Sequence, residues 1–155
     1  MTMLSSELRD WLVPGLAGTL ASVDAEQQPQ IARVWMARAT EGDVIEVYVL
    51  RSAAAALVEA VFSSGRAALN LIHVATYRSR LFKGRCEVSL ATVDDAVLDQ
   101  SLNALNRAFH EVGMPPDAAL RLLGHSSAPR DMVLLSLIVD NVFDQSPKRG
   151  AGARL

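Results

Sequence analysis

The chain has 155 residues, half of them apolar, and its 15 Lys and Arg against 17 Asp and Glu give a net charge of −2. This length suits one domain over 1–155, and the balance lacks the basic footprint of nucleic-acid or anionic-membrane binding. No run reaches the roughly 18 apolar residues of a membrane span, so the sequence reads as cytoplasmic, and the single cysteine, Cys86, excludes an intrachain disulfide or a cysteine-rich metal centre.

In chain order, Ser5 or Ser6 can cap a short helix through Leu12, which Pro14-Gly15 ends. Leu16–Val23, Gln30–Arg38 and Val44–Leu50 then read as three strands of an antiparallel meander, parted by segments rich in turn formers. At Arg51-Ser52 the strand pattern gives way at once to a helix-forming run, Ala53–Phe62. The first N–H groups of a helix lack intrahelical partners and carry the positive end of its dipole. With an arginine and a hydroxyl beside them, they can receive an anion such as a phosphate. The plainer reading makes Ser52 an N-cap and Arg51 a solvated charge.

Ser63-Ser64-Gly65 breaks that helix, and Ala67–Val74 and Arg80–Leu90 read as strands four and five. In the fifth, Phe82, Gly84, Cys86 and Val88 take one face and Lys83, Arg85, Glu87 and Ser89 the other, which places Cys86 toward the core. Thr92 with Asp95 predicts the start of a helix carrying Leu98, Leu102, Leu105, Phe109 and Val112 at helical spacing. Pro115-Pro116 opens a further helix ending at Gly124, and a loop runs from His125 to Asp131. Met132–Phe143 predicts a central sixth strand before the tail Asp144–Leu155. Six strands with helices at the ends and at two insertions define a mainly β protein with helical insertions, a small closed antiparallel barrel rather than a doubly wound sheet. A Gly-x-Gly-x-x-Gly turn, a serine elbow and a His-Glu-x-x-His helix are all absent from the sequence.

Arg33 and Trp35, two residues apart on a strand, offer a guanidinium and an indole from one face, suited to a flat heterocycle or, for Trp35, to the core. His73, His110 and His125 do not pair at metal-ligand spacing. Leu20–Asp24, Pro29–Trp35, Thr76–Gly84 and Phe143–Gly152, taken together and in this order, resemble the pyridoxamine 5′-phosphate oxidase-like, FMN-binding split-barrel family. The resemblance implies a six-stranded antiparallel split barrel that pairs into a homodimer, with FMN in the groove between subunits. It sets Arg33 and Trp35 beside the flavin and Arg51 and Ser52 at the phosphate, and makes Gln145 of the tail a groove residue. Members of the family carry a further basic residue a few positions after the strand end, where this chain has Ala53-Ala54-Ala55-Ala56. Arg80 and Lys83 of strand five are the candidates to replace it. The implied activity is an FMN-dependent oxidoreductase acting on a small organic substrate. The alternative is a degenerate split barrel that binds flavin, haem or another small ligand without turnover.

Overall fold

The computed structural model describes residues 2–116 and 131–155. Its elements run α1 (Ser6–Trp11), β1 (Ala17–Val23), β2 (Pro29–Ala39), β3 (Val44–Leu50), α2 (Arg51–Ser64), β4 (Arg66–Ile72), β5 (Ser79–Val88), α3 (Asp95–Glu111) and β6 (Met132–Asp144). The strands close into a barrel in the order β1-β2-β3-β6-β5-β4, every neighbouring pair antiparallel. Two three-stranded meanders therefore join along β3–β6 and β1–β4, and closure removes the exposed edges that an open sheet would leave.

Alternation along the strands fills the barrel with Leu20, Val34, Ile45, Val47, Leu69, Leu71, Phe82, Leu135 and Leu137, all buried. α1 closes one end. Leu4, Leu8, Trp11 and Leu12 enter the core there, and Arg9 anchors the helix by donating to the carbonyls of Leu4, Thr40 and Gly42. α2 closes the other end through Ala54, Leu57 and Val61. At about 1.5 Å of rise per residue its 14 residues span about 21 Å, enough to cross from β3 to β4 over the barrel mouth. Gly65 ends it in the left-handed region, at φ 64°, with its N–H returned to the Val61 carbonyl.

A second apolar layer lies outside the barrel, where Leu98, Leu105 and Phe109 of α3 cluster with Trp35, Met36, Tyr48, Met132 and Leu134. A bulge makes this possible. Val34 pairs with Val49 and Met36 with Tyr48, so Trp35 is the extra residue of β2 and both Trp35 and Met36 join the outer layer. α3 starts from Asp94, whose carboxylate accepts from the Ala96 and Val97 amides, and not from the expected Thr92–Asp95 pair. Asp94 is the residue from which the carboxylate reaches the first-turn donors, and the Asp94 amide is itself held by the Tyr48 hydroxyl.

The tail is neither a free arm nor a frayed end. It turns back on β6, with the Asp144 amide donating to the Ala153 carbonyl, Leu155 to Val142, and Phe143 bridged to Arg154. The expected helix opened by Pro115-Pro116 runs, beyond Pro116, into 117–130, outside the described residues, and His125 lies there too. Among the described residues no helix is long and apolar enough to cross a membrane.

Candidate functional site

β3 runs into α2 without an intervening residue. The N-cap is Leu50, which makes no side-chain capping bond, so Arg51 and Ser52 both lie inside the first turn and Ser52 is not the cap. The four alanines favour helix, and the Arg51 amide is already satisfied by the Asp131 carbonyl at 2.9 Å, so the turn closes without a side-chain cap. Arg51 Nε also donates to Asp131 Oδ1 at 2.8 Å, and Nη2 to the Met132 carbonyl at 3.4 Å. This carboxylate stands where an anion was expected. The two side chains are 61% and 68% exposed, and such a surface pair is worth about 0–1 kcal/mol, too little to fix Arg51 against a stronger anion.

The register brings the backbone of Arg33 beside the same strand end. Since Val34 faces Val49, Arg33 borders the end of β3 from which Arg51 and Ser52 continue. Its guanidinium carbon lies 5.1 Å from the centre of the Trp35 ring, the shared face that their spacing predicts. Burial lowers the arginine's pKa from its ordinary value. Trp35 itself is buried in the outer layer, 6% exposed, so within one chain it is a packing residue that carries a guanidinium on its ring.

Arg80, Lys83 and Gln145 are elsewhere. β5, which carries Arg80 and Lys83, is three places from β2 in either direction around the six-stranded barrel and so lies across it from Arg33, while Gln145 follows β6 at the end away from the β3–α2 junction. Lys83 is exposed, its ammonium 5.3 Å from the Phe143 ring centre, and Gln145 is exposed with its amide on the Ser79 carbonyl. Arg80 is not on the wet face. It shares the inward parity of Phe82 and is 7% exposed, with Nη1 donating to Asp144 Oδ1 at 2.8 Å, to the Ser79 carbonyl and to Ser146 Oγ. The Asp144 carboxylate also receives the Lys148 ammonium at 2.8 Å and the Ser146 amide. Hydrogen bonds from Lys148 and Ser146, with the Arg80 charge adding to them, hold it well below the usual carboxylate range. Sequence reading missed Asp144 and Trp11. The available signal was the parity of Arg80: an inward arginine requires a buried acid.

His110 is exposed at the end of α3, and His73 is half-buried with its ring 5.2 Å from that of Trp11. Cys86 is buried as its strand face predicts. Burial, with Glu87 adding, pushes its thiol up to about 12, which leaves it inert as a nucleophile. Among the described residues no group of three or more His, Cys, Asp or Glu is placed to hold a metal ion.

No family model and no curated protein matches this sequence. Solved structures do. HupZ from Group A Streptococcus superposes with a TM-score of 0.57 over 96% of this chain and 98% of its own, at 15% identity. General stress protein 26 from Bacillus anthracis gives a TM-score of 0.51 at 17% identity over 96% and 97% of the two chains. HutZ, a haem storage protein from Vibrio cholerae, gives 0.52 at 15% identity over 94% and 97%. A Clostridium acetobutylicum protein of the pyridoxinephosphate oxidase family gives 0.50 at 14% identity over 94% and 88%. The chain has the fold of the pyridoxamine 5′-phosphate oxidase-like split barrels.

Proposed function

We propose that this chain is an FMN-binding split barrel that works as a homodimer in the cytoplasm, an oxidoreductase for a small organic substrate. The observation behind this reading is that the β2–β3 register carries the backbones of Arg33, Arg51 and Ser52 to one end of that ladder, beside the first turn of α2. That is a set of cations and donors, and it suits a phosphate. Arg51 and the α2 amides would hold the phosphate, and Arg33, positioned by Trp35, would border the ring. Lys83, on β5 across the barrel, and Gln145, past the end of β6 that lies away from the β3–α2 junction, would complete the groove from a second copy, since both are remote from that junction within one barrel. Bound FMN supplies the redox chemistry that no side chain of this set offers. The chain's own part is to bind, to orient and to exclude water, without a nucleophile.

Replacing Arg51 with Ala is expected to weaken FMN binding by about 1.5–3 kcal/mol, roughly ten- to a hundredfold, in a fluorescence titration. Riboflavin, which lacks the phosphate, is expected to bind wild type far more weakly than FMN and the variant about equally, while Ala56→Lys strengthens FMN binding. Equal FMN affinity in wild type and Arg51→Ala would overturn the phosphate assignment.

A second reading has support of its own: a barrel of this fold that holds haem or another small ligand without turnover. It rests on the likeness to the haem storage protein HutZ, on the alanine run after Ser52, and on the carboxylate of Asp131 already paired with Arg51.

A further inference from the structure

Asp131 meets Arg51 twice. Leu50 and Met132 form the outermost pair of the β3–β6 ladder at this end, so the next residues out, Arg51 and Asp131, face each other where β3 turns into α2. The Asp131 carbonyl accepts from the Arg51 amide at 2.9 Å, and its carboxylate accepts from Arg51 Nε at 2.8 Å. One residue thus supplies acceptors to the first amide of the helix and to the guanidinium beside it. A phosphate at this junction would call on the same guanidinium and the same helix turn.

The charges at the junction decide what this does to a ligand. Arg51 and Asp131 cancel, and the run Ala53-Ala54-Ala55-Ala56 brings no second cation to the turn. A phosphate monoester carries roughly −1.5 to −2 at neutral pH, so beside Arg51 it has either to displace the carboxylate or to lie against it. Displacement forfeits the ion pair, and lying against it sets like charges together, so both courses weaken binding. Asp131 has room to give way, since its side chain is 68% exposed and turns outward into water. The pair therefore attenuates phosphate binding and does not abolish it. A flavin without phosphate makes no demand on Arg51 and meets no such cost. Resting on the phosphate reading of the junction, we propose that Asp131 is a specificity-determining residue, a resident counter-anion of Arg51 that sets how strongly the site prefers phosphorylated flavin over its phosphate-free form.

The test is a fluorescence titration of the full chain with FMN and with riboflavin. Asp131→Asn, which keeps the shape and removes the charge, is expected to bind FMN about tenfold more tightly than wild type, with riboflavin affinity unchanged. Asp131→Ala is expected to give the same gain, and at a site so exposed neither change strands a buried group. In an Arg51→Ala background the gain from Asp131→Asn is expected to fall below about twofold, because nothing then draws the carboxylate to the phosphate position. An FMN affinity unchanged or lower in both Asp131 variants, with Arg51→Ala still weakening FMN, would overturn this inference and leave the phosphate assignment in place. An equal gain for riboflavin would overturn it too, since the charge would then act on the ring and not on the phosphate. FMN binding that is indifferent to Arg51, or absent in every variant, would overturn both.

Discussion

Asp144→Ala is expected to destabilise the protein by about 3–5 kcal/mol, because it removes the acid paired with an arginine that is 7% exposed and strands that charge in the wall of the core. Urea unfolding followed by circular dichroism measures the loss. The size comes from the unpaired cation and not from the pair's own worth, so Arg80→Met combined with Asp144→Leu is expected to recover much of it. Asp144 also predicts an acid dependence. Its folded pKa is depressed, so its contribution is fully present above the unfolded value of about 3.9 and is lost as pH falls through the folded value. In Asp144→Asn that part of the acid unfolding is expected to disappear. A loss under about 1 kcal/mol for Asp144→Ala would mean that Arg80 reaches water when its partner is removed.

Gly84→Ala is expected to cost about 3 kcal/mol or more, for a steric reason. A Cβ at this position would overlap the Ile138 carbonyl oxygen and stand 2.8 Å from its carbon and 3.1 Å from Val139 Cα, all backbone atoms that cannot rotate away. The crowding belongs to a bulge, for Lys83 pairs with Asn141 and Gly84 with Val139, and Asp140 is left over as the extra residue. Thermal unfolding is the measurement. Ala67→Gly, across the ladder from Gly84, is a control with no such clash to relieve, and is expected to cost roughly 1 kcal/mol. A Gly84→Ala protein as stable as wild type would show that β6 can shift to admit the methyl group.

The barrel was legible because burial on one face writes itself as alternation. Phe82, Gly84 and Cys86 against Lys83, Arg85 and Glu87 set the register of β5, and the β-branched run from Met132 marked a strand held between two neighbours, as β6 is between β3 and β5. The bulge at Trp35 was not legible. An extra residue shifts the period by one without leaving a turn former, so Trp35 and Met36 could not be placed in the layer under α3. At the site, the shared face of Arg33 and Trp35 followed from spacing alone. Its pairing of Arg51 with Asp131 joins residues 80 apart in sequence and has no local signature. Arg80, a candidate for the phosphate, follows its parity with Phe82 into the barrel wall instead. Its acid, Asp144, lies where β6 passes into what reads as a tail, and the return of that tail rests on backbone hydrogen bonds that composition does not report.

The most direct test of the flavin reading is the absorbance spectrum of the protein after equilibration with FMN, taken across its size-exclusion peak with light scattering to give the mass. The account predicts flavin absorbance travelling with a species of twice the 16.7 kDa chain, near one flavin per chain. A colourless peak at the mass of one chain, or a protein that takes up haem and leaves FMN behind, would contradict it.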